Sequence, residues 1–73
     1  MEKRIEINPR VCNGKPIISG TRITISVILD HLAAGLDRAK ILDEYPELND
    51  DDITAAIGYA RNFIENSEIT VVK

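Results

Sequence analysis

The sequence predicts a mainly α-helical single domain, in which an N-terminal β-hairpin precedes a three-helix bundle and a short C-terminal strand or tail. Ile5 and Ile7 alternate with polar residues near the N-terminus, and the apolar residues recur with the helical period after Thr24. Asp37 and Asn49 stand where N-caps would begin two further helices. A chain of 73 residues has room for one domain, because chains of this size bury only about 60% of the surface that their unfolded forms expose.

The composition is typical of a soluble, folded domain. Hydrophobic residues make up 44% and charged residues 29% of the chain, and the absence of Trp predicts an aliphatic core. No apolar run is long enough for a signal peptide, or for a membrane span of about 20 residues. The lone Cys12 cannot form an internal disulfide, which favours a reducing, cytoplasmic location. Within the domain we expect a basic hairpin segment at 1–22, a bundle at 23–66 and a tail at 67–73.

The hairpin is predicted from the first 22 residues. Ile5 and Ile7 alternate with polar residues, as in a half-buried strand. The dipeptide Asn13-Gly14 tolerates the two positive φ angles of a type I′ turn. We therefore expect a tight hairpin in which residues 11–12 pair with residues 15–18.

The helical period of the remaining apolar residues predicts three helices, near residues 24–34, 38–45 and 50–66. Thr24, Asp37 and Asn49 are the expected N-caps, while Gly35 and Pro46 end the first two helices. The predicted core of the bundle consists of Ile25, Ile28, Leu29, Leu32, Ile41, Leu42, Ile53, Ile57 and Ala60.

Charge is divided unevenly along the chain, with a net charge of +3 at residues 1–22 and −6 at residues 23–73. The short connection between helices two and three is typical of a helix-turn-helix, whose last helix usually contacts base edges. Here that helix begins with three carboxylates, Asp50 to Asp52, which DNA phosphates would repel. The candidate DNA-binding residues are therefore those of the basic hairpin: Arg4, Arg10, Lys15 and Arg22. The alternative is that Arg22 forms a structural ion pair.

The sequence offers little for catalysis. Cys12 and His31 are the one nucleophile and base of the usual kind, and a Cys beside a turn is usually inert. No second His or Cys supports a metal site, and the acidic run from Asp50 to Asp52 is explained by helix capping. We predict a protein that is not an enzyme, without catalytic residues, metal, cofactor or small-molecule substrate.

A combination of short motifs extends over residues 5–60 of the chain. These motifs are Asn8-Pro9, Val11-Cys12-Asn13-Gly14-Lys15-Pro16, Ile18, Gly20-Thr21-Arg22-Ile23, Leu29, Leu32-Ala33-Ala34-Gly35, Ile41-Leu42, Tyr45-Pro46, Leu48, Asp52-Ile53, Ala55-Ala56 and Tyr59-Ala60. Together they resemble the small bacterial family called domain of unknown function 433. The resemblance implies a homeodomain-like three-helix fold. It also implies an antitoxin of the VapB kind, paired with a PIN-like ribonuclease toxin.

Three hypotheses about function follow. The first is a non-catalytic antitoxin of a type II toxin-antitoxin module that binds operator DNA and a PIN-like toxin. The second is a self-associating protein-interaction module that binds no nucleic acid, and the third is an enzyme in which Cys12 meets His31. We also expect a homodimer, because the core is thin and the β-branched tail offers an unpaired edge. Its partner-binding residues would be Ile69, Val71 and Val72.

Overall fold

A computed structural model of the protein describes residues 4–66. The elements in chain order are strands β1 (Ile5–Glu6) and β2 (Ile17–Ile18) and helices α1 (Ile25–Ala33), α2 (Arg38–Glu44) and α3 (Asp50–Asn66). The predicted fold class and the three helices are confirmed, with helix ends within one residue of expectation. The strand or tail expected at 67–73 lies outside the described residues. Within residues 4–66, no helix has the length and apolar character that a membrane crossing requires.

The hairpin is wider than the sequence predicts. Strands β1 and β2 pair antiparallel, with Ile5 opposite Ile18 and residues 7–16 as the connection. Asn13 and Gly14 do take the predicted positive φ angles, +58° and +79°. Cys12 also has a positive φ of +50°, which no strand residue adopts, so the expected pairing of residues 11–12 with 15–18 is wrong.

Strand β2 also joins the start of α1. The amide of Ile18 donates to the carbonyl of Ile23 at 3.0 Å, and the amide of Ile25 donates to the carbonyl of Pro16 at 2.9 Å. Consequently Ile17, Ile18 and Ile23 are all buried, although the predicted core omits them. Ile17 and Ile18 were missed because two adjacent buried residues, one on each face of a short strand, give no alternation to detect. Ile23 was missed because its burial depends on the pairing of its carbonyl with the amide of Ile18.

Side-chain caps and one glycine fix the helix ends. The amide of Val27 donates to the hydroxyl of Thr24 at 3.1 Å, and the amide of Lys40 donates to the carboxylate of Asp37 at 2.9 Å. Gly35 has a φ of +95°, which lets the amide of Leu36 donate to the carbonyl of His31 and closes α1 in a Schellman motif. Helix α1 therefore passes into α2 within a few residues.

The three helices and the hairpin share one aliphatic core. Its buried residues are Ile18, Ile23, Ile25, Ile28, Ile41, Leu48, Ile53 and Ala56. Leu29, Leu32 and Leu42 pack at its edge, and Ala60 is half-buried. Ile57 was predicted to be buried and is not, since 39% of it is exposed. Ile57 lies about 100° around the helix from Ala56 and about 40° from Ile53, which places it at the edge of the buried face and not at its centre.

Candidate functional site

Arg4, a predicted DNA-binding residue, contacts the beginning of α3. Its guanidinium donates to the carboxylate of Asp52 at 3.1 Å and lies 3.5 Å from that of Asp51. Asp52 is buried, with 6% of the residue exposed, and its second carboxylate oxygen accepts from the amide of Asn49 at 2.9 Å. Both oxygens of this buried carboxylate are thus hydrogen-bonded, and Arg4 stabilises the fold whatever else it binds.

A second arginine occupies the other side of the same helix turn. Arg38 of α2 donates to the carboxylate of Asp50 at 2.8 Å and to the hydroxyl of Thr54 at 3.0 Å. The acidic first turn of α3 is therefore bound by the guanidinium groups of Arg4 and Arg38. Because these two cations are engaged by carboxylates, this end of the bundle offers little attraction to phosphate.

The remaining three candidate DNA-binding residues are exposed. Arg10, Lys15 and Arg22, which we call the basic cluster, form no ion pair with any residue in the 4–66 range. The thiol of Cys12 donates to the carbonyl of Arg22 at 3.3 Å, which fastens the 9–15 loop to the chain at Arg22. The loop that carries Arg10 and Lys15 is thereby held next to the backbone at Arg22.

A groove of about 470 Å³ lies beside Arg22. Its charged lining residues are Arg22 itself, Glu6 from β1 and Glu47 from the turn between α2 and α3. Two carboxylates make the groove itself unfavourable for phosphate.

Cys12 and His31 have no interaction partner in common. The thiol of Cys12 contacts the carbonyl of Arg22, whereas the ring of His31 contacts Val27 and Glu44. In the part of the chain that the structure describes, no three His, Cys, Asp or Glu side chains cluster as metal ligands would. The predictions that the protein has no enzyme activity and binds no metal remain predictions.

His31 joins α1 to α2, a role that the sequence alone does not reveal. Its Nδ1 lies 2.7 Å from the carbonyl oxygen of Val27, and its Nε2 lies 2.9 Å from the carboxylate of Glu44. The carbonyl of Val27, and next the carboxylate of Glu44, raise the pKa of His31 above 6.5, and partial burial opposes them. Sequence periodicity could not predict this contact, because its two residues are 13 positions apart and lie on different helices.

An exposed apolar face adjoins α1 and the second half of α3. Phe63 and Ile64 are 67% and 59% exposed, and they border a groove of about 350 Å³ with Tyr59, Leu29 and Ile25. We call the exposed Phe63 and Ile64, together with the half-buried Tyr59 and Leu29, the apolar face; Ile25 is buried and belongs to the core. The tail residues predicted to bind a partner, Ile69, Val71 and Val72, lie outside the described range.

These features define a class of protein: a small three-helix domain with an N-terminal hairpin, a basic loop and an apolar helix face. A family model described as "Protein of unknown function (DUF433)" matches residues 5–60, so the chain belongs to this family. The chain is also similar to the crystal structure of a DUF433 member protein from Anabaena variabilis ATCC 29413. That comparison gives a TM-score of 0.81 and 31% identity over 88% of this chain and 63% of the other. No curated protein matches the chain.

Proposed function

We propose that this protein is a non-catalytic antitoxin of a type II toxin-antitoxin module that binds operator DNA through the basic cluster. The observation that carries the proposal is the state of Arg10, Lys15 and Arg22: all three are exposed and none is used in an ion pair within residues 4–66. Surface cations that the fold does not use are available to neutralise phosphates. The antitoxin role itself comes from the resemblance to domain of unknown function 433.

The negative charge on the first turn of α3 supports a different surface as the one that meets DNA. In an ordinary helix-turn-helix complex the first turn of this helix enters the major groove. Here that turn carries Asp50 to Asp52, and the cations beside it, Arg4 and Arg38, are engaged by these carboxylates. Insertion of α3 would bring these carboxylates close to the DNA phosphates, which repel them. The basic cluster on the hairpin side is therefore the better candidate for the DNA-binding surface. We expect Arg4 to contribute mainly through the fold.

The apolar face is our candidate for the protein partners. Exposed apolar residues that adjoin one another are typical of protein-protein contacts. We propose that this face serves a homodimer, a PIN-like toxin, or both in turn. Dimerisation would double the basic cluster to six cations, and about six phosphate contacts lower affinity roughly a thousandfold between 50 and 200 mM salt.

The experiment compares two double variants with the same charge change. Lys15→Ala/Arg22→Ala removes two members of the basic cluster, whereas Lys40→Ala/Arg61→Ala removes two exposed cations that lie outside it. Binding to a duplex of the DNA upstream of the gene is measured across salt concentrations. For a dimer that loses four phosphate contacts, the slope of log K against log salt should fall by about 4 in the first variant. The second variant should keep the wild-type slope.

Two outcomes would overturn the DNA-binding proposal: equal slopes in the two variants, or no binding by the wild type at any salt concentration. In either case the second hypothesis, a self-associating interaction module, becomes the better account. The apolar face favours that alternative independently, since its exposure does not depend on nucleic acid. Thermal melts of each variant show whether lost binding reflects lost fold.

A further inference from the structure

Both ring nitrogens of His31 lie close to atoms that only accept hydrogen bonds. Nδ1 is 2.7 Å from the carbonyl oxygen of Val27, and Nε2 is 2.9 Å from a carboxylate oxygen of Glu44. A neutral imidazole has one N–H and can donate to only one of them. The imidazolium has two and can donate to both. Only the protonated ring can therefore donate to both acceptors at once.

The groups that face the ring come from two helices. Glu44 and Tyr45 lie on the α2 side, and the rings of His31 and Tyr45 pack in a T-shaped arrangement with their centroids 5.4 Å apart. Asp30, on α1, adds a second nearby negative charge. The carboxylates of both Glu44 and Asp30 favour the cation, as the carbonyl of Val27 does. Protonation of His31 thus strengthens the contact between α1 and the end of α2.

The end of α2 leads directly into the turn that precedes α3. Glu44 is the last residue of α2, and the carbonyl of the next residue, Tyr45, accepts from the amide of Leu48 at 2.9 Å. Leu48 is buried in the core, and its neighbour Glu47 lines the groove beside Arg22. A change in how His31 holds Glu44 would therefore act on the position of this turn.

We propose that His31 is a pH-responsive latch between α1 and α2 that holds the turn at residues 45–49. Protonated, the ring donates to both Val27 and Glu44 and keeps the turn in the described position. When the ring loses its proton, one of the two hydrogen bonds is lost, the end of α2 loosens, and Glu47 becomes free to move relative to Arg22. The latch requires neither DNA nor a toxin, so it stands independently of the proposed function.

The direction of the pH effect follows from the pKa of His31, which is raised above 6.5 in the folded protein. A raised pKa means that the folded state holds the proton more tightly than the unfolded state does. The stabilisation is fully present below about pH 6.5, the unfolded value, and is lost as the pH rises through the folded value. The latch should therefore be closed under mildly acidic conditions and open under alkaline ones.

The test is an NMR titration of the ring, which is unambiguous because His31 is the single histidine in the sequence. Glu44→Gln removes the partner carboxylate, while Asp43→Asn is the matched control, an exposed acid one residue away that does not act on the ring. We expect a wild-type midpoint above 6.5, a lower midpoint in Glu44→Gln and an unchanged one in Asp43→Asn. The amide signals of Glu47 and Leu48 should shift with the same midpoint as the ring.

His31→Gln provides a second, fold-preserving check, because a neutral amide cannot titrate. In this variant the amides of Glu47 and Leu48 should lose their pH dependence, while far-UV circular dichroism stays helical. A wild-type midpoint at or below 6.5, or equal shifts in Glu44→Gln and Asp43→Asn, would overturn the latch. The latch would also be overturned if the amide signals of Glu47 and Leu48 did not change with the midpoint of the ring. The same holds if they kept their pH dependence in His31→Gln.

Discussion

Asn49 and Asp52 cap each other at the start of α3. The amide of Asp52 donates to the side-chain oxygen of Asn49 at 3.0 Å, and the amide of Asn49 donates to the carboxylate of Asp52 at 2.9 Å. This reciprocal pair is a capping box in which Asp takes the place of the usual Glu. Because Arg4 also binds Asp52, one carboxylate starts the longest helix and ties the chain before β1 to it.

The first prediction concerns this carboxylate. Asp52→Ala removes the capping bond to Asn49 and the partner of Arg4 from a buried position. We expect the free energy of unfolding to fall by about 2.5–4 kcal/mol, from one cap at about 1 and one charged hydrogen bond at about 1.5–3. Urea denaturation measures the loss. Asp51→Ala is the control, because its side chain is 76% exposed and its ion pair is worth at most about 1 kcal/mol. Equal losses in the two variants would contradict the special role of Asp52.

The second prediction separates two isoleucines on α3. Ile53 is fully buried, so Ile53→Ala should lower the free energy of unfolding by about 2–5 kcal/mol through lost burial and the cavity left behind. Ile57→Ala should lower it by less than about 1.5 kcal/mol, since the side chain is already partly in water. Thermal and urea melts of both variants decide the matter. A loss at Ile57→Ala as large as that at Ile53→Ala would mean that Ile57 belongs to the core, as the sequence pattern predicted.

The third prediction uses two glycines in opposite conformations. Gly35 has a φ of +95°, so Gly35→Ala introduces left-handed strain of about 1–2 kcal/mol although the space for the methyl group is open. Gly58 lies inside α3 with ordinary helical φ and equally open space, so Gly58→Ala should stabilise the protein by about 0.5–1 kcal/mol. The melting temperatures should therefore move in opposite directions. A melting temperature that rises or stays unchanged in Gly35→Ala would contradict the Schellman closure of α1.

The sequence predicted the parts of the fold that local chemistry determines. Helix starts at Thr24 and Asp37 were predictable because a cap acts within three residues of itself. The burial of Ile17 and Ile23 was not, since it depends on β2 pairing with the start of α1. The same limit applies to sites. The exposure of Arg22 agrees with its proposed role, but the attachment of Arg4 to Asp52, 48 residues away, appears only in three dimensions.

The last prediction concerns self-association through the apolar face. Phe63 and Ile64 follow Ala56 and Ala60 at helical spacing, so they continue the buried face of α3 into an exposed surface. A second chain that covered this surface would remove two large apolar side chains from water, and we expect sedimentation of the wild type to depend on concentration.

Phe63→Glu should shift this equilibrium towards monomer, because association would then bury a carboxylate. Ala39→Glu, which adds the same charge at an exposed position of α2, should leave it unchanged. Deletion of residues 68–73 distinguishes the apolar face from the tail, where Ile69, Val71 and Val72 were predicted to bind a partner. If the deletion abolishes association while Phe63→Glu does not, the tail rather than the apolar face joins the chains. If the wild type sediments as a monomer at every concentration, the dimer is excluded. The apolar face would then be a candidate binding surface for a different protein.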